Sequence, residues 1–573
     1  MNHAQRSDEI ARPKIRVALL LDDFVQPRWV RRIISDLRAT DAVEIALLIL
    51  NDSPPPPKRP FGRLGAWVRN RRYLLYAAYQ RLDRWWFHPP NDPFESADIE
   101  PEVHDIPRVR VRPRMTKHCD YFESADIDAI RAFDLDVVLR FGFRILKGEA
   151  LNVARYGIWS YHHGDNRVNR GGPAGFWEVM EGHGVTGSVL QRLTERLDDG
   201  EILCRTFSST NPFSVAKNQV GLYWASVFAL PRTLQRLQAQ RYDDLLLSNR
   251  EEPAWQGYSN QLYVAPMNRQ MAGLMIRLAG RYIREKARQA FAFDQWFVAY
   301  GVRRESPRGR FVPDTSYHRF RRLIPPSDRF WADPFPVEHG GGRYIFIEEY
   351  LNATGLGRIS VFEIADDGTA LGPEAVLERP YHLSYPFVFE RNGTHYMIPE
   401  TRGSGQIELF RATDFPRGWV FDRVLVPNVS AVDATLAEIN GRWWIFASVA
   451  PDPQLPVEEL AIFHSESPFG PWRPHCRNPI KSDVRNSRPA GRIFEIDGRF
   501  YRPAQDCARR YGHSIVINEI TELDPDNFRE VPISRIEPRW TDDLLATHTI
   551  NADGSLTVID GQLSRRRRGA KGA

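Results

Sequence analysis

Cysteine is scarce and scattered. The four residues, Cys119, Cys204, Cys476 and Cys507, include no Cys-x-x-Cys pair, so neither a disulfide framework nor a zinc site is indicated, and a reducing compartment fits. No run of eighteen apolar residues occurs, which leaves no membrane-crossing helix to expect. The first thirteen residues are too polar for the apolar core of a secretion signal. Strong net charge is missing as well. The 77 Lys and Arg barely exceed the 72 Asp and Glu, so nucleic-acid binding is not expected, despite the short Arg565–Arg568 cluster. No Gly-x-Gly-x-x-Gly follows the first apolar run, which argues against a dinucleotide site there. A cytoplasmic protein, at most peripheral at the inner face of a membrane, is the expectation.

What remains is an ordinary globular composition, 42% hydrophobic and 26% charged, over a length that suggests about three or four domains. Ile15–Leu21 and Val43–Leu50 are continuous apolar runs with a helical pattern, Pro27–Leu37, between them. This is how buried parallel strands of a Rossmann-like sheet read. After the prolines at 54–57 comes a basic aromatic stretch, 61–87, with two readings. It is either a helix lying on an anionic membrane surface or a helix packed on its own domain with solvated arginines. Asp136–Phe141 is a further strand, and Asn218–Gln240 reads as one long covering helix. Asn268–Ala292 reads as another, with Met271, Leu274, Met275, Leu278 and Ile283 on one face.

The densest chemistry lies in Gly157–Leu203. An apolar run, Ile158-Trp159-Ser160-Tyr161, stops at His162-His163-Gly164-Asp165. An Arg/Asn/Gly/Pro loop, a helix over Ala174–Glu181, a strand over Gly187–Leu193 and the turn Asp198-Asp199-Gly200-Glu201 follow. Open α/β sheets bind ligands at the carboxyl ends of their strands, and a histidine there becomes a base once a neighbour fixes its tautomer. The elements Ser160-Tyr161-His162, Arg170-Gly171…Pro173-Ala174, Thr186-Gly187-Ser188 and Leu197-Asp198-Asp199-Gly200 resemble the catalytic core of the folate-dependent formyltransferases. His162 and Asp198 stand 36 residues apart, the separation found in that family. The resemblance implies that His162 accepts the proton of an attacking amine and that Asp198 orients it. It also implies 10-formyltetrahydrofolate as donor, held near Gly164, Asp165, Arg170 and Gly171. Two departures stand out: Ser160 replaces the family's Asn, and Gly164-Asp165-Asn166-Arg167 replaces its Ser-Leu-Leu-Pro loop. An oxyanion donor of the Asn kind is worth about 10²–10³-fold in rate.

From about Phe293 the texture changes to short aromatic strands with Gly turns, and a phrase recurs. WADPF…GGRYIFIEE, SYPFVFERNGTHYMIPE, VDATLAEINGRWWIFAS, SRPAGRIFEIDGRFYRPAQ and ATHTINADGSLTVIDG begin at Asp333, Tyr385, Asp433, Arg488 and His548, at intervals of 52, 48, 55 and 60 residues. Five such units suit a five-bladed β-propeller, with Gln295–Gly301 closing the ring. Equivalent first residues would then converge on one funnel. This half resembles the propellers of glycoside hydrolase family 43, and is closer still to the propeller domain named after plant glucosamine inositolphosphorylceramide transferases. By that resemblance Asp333 matches the hydrolases' general base and Asp433 their pKa-tuning Asp. Arg488-Pro489 stands where they carry the acid, and hydrolysis needs two carboxyl groups. An Arg and a His in the funnel would instead hold an anionic sugar or a phosphate. Glu349, Glu400 and Gln505 are secondary candidates at strand ends.

The expected organisation is a formyltransferase-like α/β domain at 1–250 with an insertion at about 54–125, a helical linker at 251–292, the propeller at 293–563 and a disordered basic tail at 564–573. The expected activity is formyl transfer to a nucleotide- or lipid-linked amino sugar in surface polysaccharide or glycolipid biosynthesis, catalysed by His162, Asp198 and Ser160 without a metal. The alternative is a degenerate formyltransferase fold carrying a glycan-binding or glycan-transferring propeller, with Asp333, Tyr385, Asp433, Arg488, His548 and Glu400 as its site.

Overall fold

A computed structural model describes residues 13–54, 71–168, 170–196, 200–239, 242–247, 262–303, 309–450 and 458–567. The chain divides into two compact units, Met1–Leu278 and Ala279–Ala573.

The first unit is built on a seven-stranded sheet. Its strands are β1 (Ile15–Leu21), β2 (Val43–Asn51), β3 (Arg108–Val111), β4 (Val137–Arg140), β5 (Ile158–His162), β6 (Val185–Arg192) and β7 (Glu201–Ser209), in the order β7-β6-β5-β4-β1-β2-β3. The first five are parallel; β6 runs antiparallel beside β5, and β7 antiparallel beside β6. Strand β1 is buried along almost its whole length, as a central strand covered on both faces must be. The helices are α1 (Arg28–Arg38), α2 (Leu74–Phe87), α3 (Val215–Val227), α4 (Ala229–Ala239) and α5 (Asn268–Phe291).

The long helix expected over Asn218–Gln240 is thus two. Pro231 supplies no N–H to continue the ladder, and the Tyr161 hydroxyl takes over at the break. It donates to the Ser226 carbonyl at 2.8 Å and accepts the Leu230 N–H at 3.1 Å. In α5, Met271, Leu274 and Leu278 are buried with Tyr79 and Phe176. Ile283, expected on the same face, is exposed instead, one of several departures over 24 residues from a single straight stripe.

Helix α2 is the described part of the basic aromatic stretch; 55–70 lie outside the described residues. Its inner face is set by Asp83, which accepts the Ala216 N–H at 2.7 Å and the Ser214 hydroxyl at 3.2 Å. This puts a carboxylate at the positive end of α3. Tyr76 and Tyr79 meet Phe176 edge-on from the same face.

The second unit is five antiparallel sheets. Strand β8 (Ala292–Val302) pairs through all eleven residues with the last strand of the chain. The inner strands that follow are β9 (Arg329–His339), β10 (Ser384–Arg391), β11 (Ala431–Ile439), β12 (Phe494–Ile496) and β13 (Ile550–Asp553), and β14 (Leu556–Arg566) is the last. Hydrophobic clusters join neighbouring sheets. Val298 and Tyr300 pack on Trp331 and Ile345, Phe335 on Phe387 and Leu436, Trp444 and Phe446 on Ile493, and Phe494 and Ile515 on Phe297 and Ile559. The packing order runs from each sheet to the next and from the fifth back to the first. The first residues of the disordered tail expected from Ser564 are instead ordered in a strand. Ser564, Arg565 and Arg566 continue β14 opposite Asp294, Phe293 and Ala292, and Arg565 donates to Gln295 Oε1 at 2.5 Å. Residues 568–573 lie outside the described ones.

Candidate functional site

In the first unit His162 ends β5, and Ser160 lies two residues earlier on the same face, as strand alternation requires. Arg140, at the end of β4, donates from Nη1 to Ser160 Oγ at 3.1 Å. Asp198 lies outside the described residues, and its pairing with His162 with it. His163 is a packing residue: it stacks on Tyr223 with ring centres 3.8 Å apart and meets Trp29 edge-on. Burial, together with His162, pushes its pKa down to about 3. Asp165 sits between Arg167 at 2.9 Å and Arg205 at 3.1 Å. Burial opposes its charge, but the two guanidinium groups more than offset that and hold its pKa low. Gly164 is buried behind it. Arg170 and Gly171 form a two-residue strand with Leu262 and Tyr263. A Cβ on Gly171 would stand 2.3 Å from the Tyr263 carbonyl oxygen, so only glycine fits. Asp165 and Gly171 thus make their contacts within their own loop and with the adjoining strands.

In the second unit the repeat-equivalent residues do come together, and the backbone shows how. Strands β9, β10 and β11 each carry one extra residue relative to their partners, between Ala332 and Phe335, Ser384 and Phe387, and Val432 and Thr435. At these three bulges Asp333, Tyr385 and Asp433 adopt φ of 48°, 45° and 55°. Left-handed backbone at a residue with a Cβ costs about 1–3 kcal/mol, and bulges re-aim side chains beside functional sites. The same strain at three equivalent positions turns three polar side chains into one cluster.

Two ion-pair groups make up that cluster. Arg488 pairs with Asp433, which also accepts from Gln505 Nε2 at 3.0 Å. The Arg488 guanidinium lies 4.0 Å from Glu400 and over the ring of Tyr511. His548 bridges two carboxylates, with Nδ1 2.7 Å from Asp560 and Nε2 3.3 Å from Asp333. Asp333 also accepts the Thr549 hydroxyl at 2.7 Å. The Tyr385 hydroxyl meets Thr435 at 2.8 Å. Glu348 completes the ring, 3.4 Å from His382. Asp333, Asp433, Asp560, Glu348 and Glu400 outnumber Arg488 and His548 five to two, and this crowding helps to raise several of the carboxyl pKa values. Burial first, then Asp433 among other charges, raises Glu400 to about 7. Burial raises Asp333 to about 6, with Asp433 and Asp560 adding to it. Glu348 is pushed up well above the carboxylate range by burial and by Asp333. Burial disfavours the His548 cation, but Asp560 and Asp333 more than offset this and its pKa is raised.

This corrects the expected ligand charge. Arg488 and His548 were to hold an anion, yet both are already neutralised, and the spare charge in the site is negative. Glu349 is corrected too. It faces away from the cluster, held by Arg329 and Arg358 at 2.9 Å each and by Ser360 at 2.8 Å, while Glu348 faces in. Gln505 and Glu400 do belong. Asp560 was missed, although it lies on the second strand of its repeat as Glu348, Glu400 and Gln505 do; comparing the second strands as well as the strand starts would have found it. For metals, donor atoms of Asp333, His548 and Asp560 lie within 4.8 Å of one another, as do those of His339, Glu390 and His395. In the first set a His548 that favours its protonated form competes with any ion.

Residues 323–540 match the family model described as Glucosamine inositolphosphorylceramide transferase 1, N-terminal. Glucosamine inositolphosphorylceramide transferase 1 of Oryza sativa subsp. japonica is 37% identical over 211 residues, 36% of this chain and 28% of that protein. Methionyl-tRNA formyltransferase of Bacillus thuringiensis subsp. konkukian (strain 97-27) is 30% identical over 106 residues, 18% of this chain and 32% of that protein. The chain therefore spans about a third or less of these relatives' length. A solved GH43_1 enzyme from Xanthomonas citri overlays at 15% identity with a TM-score of 0.31, covering 42% of this chain and 88% of that one. One polypeptide thus combines similarity to formyltransferases with similarity to the N-terminal part of a glycolipid transferase, and both sets of relatives are transferases.

Proposed function

We propose that the protein is a transferase of glycolipid or surface-glycan biosynthesis, and that its second unit, read as a five-bladed propeller, holds a sugar bearing a free amine. One observation carries this reading: five buried carboxylates share two cations. An ammonium group would pair with the surplus, and neighbouring hydroxyls of a sugar would engage Glu348, His382 and Tyr511. Glucosamine is the sugar named in the plant relative. Glu400, raised toward neutrality and at the edge of the cluster, is the group able to exchange a proton with such a ligand. Asp433, held by Arg488 and Gln505, is a positioning residue.

The lipid part of the reading has its own support in α2. Leu75, Leu82, Trp85 and Trp86 are exposed, the two tryptophans at 62% each, and Arg71, Arg72 and Arg81 flank them in the open. The one acid of the helix, Asp83, faces inward. An outward face of tryptophan, leucine and arginine without acids suits the interface of an anionic bilayer.

Formyl transfer to the same amine is the second reading, favoured by His162 at the carboxyl end of β5 and by the formyltransferase similarity. His162 would accept the amine proton and 10-formyltetrahydrofolate would supply the formyl group.

Calorimetric titration of glucosaminyl-inositol phosphate against its N-acetyl counterpart tests the main reading. The free amine should bind at least about tenfold more tightly, with the preference lost in Glu400→Gln and Glu348→Gln. Equal affinity for the two ligands would sink it.

A further inference from the structure

The inner strands have a second end. Strand β11 runs on five residues from Asp433 to Glu438, about 16 Å at strand rise, so the ends of β9, β10 and β11 lie well away from the carboxylate cluster. There they enclose a cavity of about 320 Å³, with β12 and Asp553 completing the wall. Arg492 lines it. Its guanidinium is sandwiched between the rings of Phe311 and Phe387, 4.4 Å from each centre, and Nη2 donates to the Val388 carbonyl at 2.5 Å. Both faces of the cation are thus covered by apolar rings, and only its edge is open to hydrogen bonding.

What Arg492 does not have is a counter-charge. Among the described residues no carboxylate lies within ion-pair distance of it. The nearest candidate, Asp553, is taken by Arg310 at 2.5 Å and by the Glu338 N–H at 3.0 Å. Burial, the largest influence on the Arg492 guanidinium, lowers its pKa to about 10. A part-buried cation without a partner is costly to keep, and a guanidinium edge matches the two oxygens of a carboxylate or phosphate. The remaining wall is mixed: Val337, Leu436 and Ile493 are apolar, while Arg310, Glu390, His395, Glu438 and Glu495 are polar or charged, and the volume is at the small end of ligand sites.

We propose that this cavity binds a small organic anion, a sugar acid or sugar monophosphate, with its anionic group on the edge of Arg492. The site is independent of the amine site at the other end of the same strands. Exposed Glu390, Glu438 and Glu495 stand at its wall, and their charge tempers the affinity for an anion.

Thermal shift and calorimetry on the full chain with glucuronate, glucose 6-phosphate, glucose and inorganic phosphate test this. Glucuronate or glucose 6-phosphate should bind and glucose should not. Binding should fall at least tenfold in Arg492→Met and persist in Glu400→Gln, which touches only the other end. Glu438→Gln with Glu495→Gln, both at exposed positions and harmless to folding, should tighten binding several-fold. That arm decides the matter should Arg492→Met fail to fold. Absence of binding, inorganic phosphate binding as tightly as the sugar phosphate (an adventitious ion only), or no gain in the double variant would overturn the proposal.

Discussion

A buried carboxylate that has no cation of its own either takes up a proton or meets a ligand that carries the missing charge. Glu400 is in that position. Its raised pKa, about 7, means that it is neutral in mild acid and ionises as pH rises. Affinity for an amino sugar should therefore increase from pH 5 to 7, and Glu400→Gln should flatten that rise in a calorimetric series; a falling profile would contradict the assignment. Glu530 is the opposite case. Burial disfavours its charge, yet Arg502 and Lys481 hold its pKa at about 2, with Arg502 2.6 Å away and both partners 1% exposed. A depressed folded value contributes stability above the ordinary unfolded value of about 4.3, and that contribution is lost as pH falls through about 2. Glu530→Gln strands the Arg502 cation and should cost about 3–5 kcal/mol, read from the urea transition of the second unit. Single residues were legible where the repeat exposed them: Asp333, Tyr385, Asp433, Arg488 and His548 converge as their spacing implied. The partners were not. Whether Glu348 or Glu349 faces inward depends on strand register, which the Glu-Glu pair leaves ambiguous. The pairing of Arg488 with Asp433 depends on bulges that no residue type announces.

At the level of elements, the same basic aromatic stretch allowed two readings, a helix packed on its own domain and one lying on a membrane surface, and vesicle binding distinguishes them. Asp83 caps α3 and so turns Trp85 and Trp86 outward. Sedimentation with vesicles containing phosphatidylserine should capture the protein, and Trp85→Ser with Trp86→Ser should reduce capture about tenfold without lowering the melting temperature, since both side chains are largely exposed. Unchanged capture would mean that the helix face has another use. The strands of both units could be read from apolar runs and turn signals, because buried strands must be apolar and tight turns need Gly or Asn. The interruption between α3 and α4 could not, because it is maintained by a tertiary contact from Tyr161. The bulges of β9, β10 and β11 also escaped, since Asp-Pro, Tyr-Pro and Asp-Ala share no local signature.

On the scale of the whole molecule, the two ends of the second unit pair with each other, as closure of a propeller would require. β8 and β14 pair along eleven residues, and Asp560 of β14 belongs to the carboxylate cluster. A chain ending at Asp553 should lose the cooperative unfolding of the entire second unit, not of one sheet, in a calorimetric scan; a surviving transition would contradict that closure. The two-part organisation was visible in the change of texture near Phe293, although the division itself falls inside α5, where a continuous helical pattern leaves no mark. The formyltransferase pattern was equally visible, but its carboxylate partner at 198 is outside the described residues, so the chemistry argued from geometry rests on the second unit. The measurement that bears on it most directly is a crystal structure with glucosaminyl-inositol phosphate bound. The amine nitrogen should lie at hydrogen-bond distance, about 2.8–3.2 Å, from a carboxylate oxygen of Glu400 or Glu348. An amine pointing into solvent, or a ligand that leaves this cluster empty, would contradict the account.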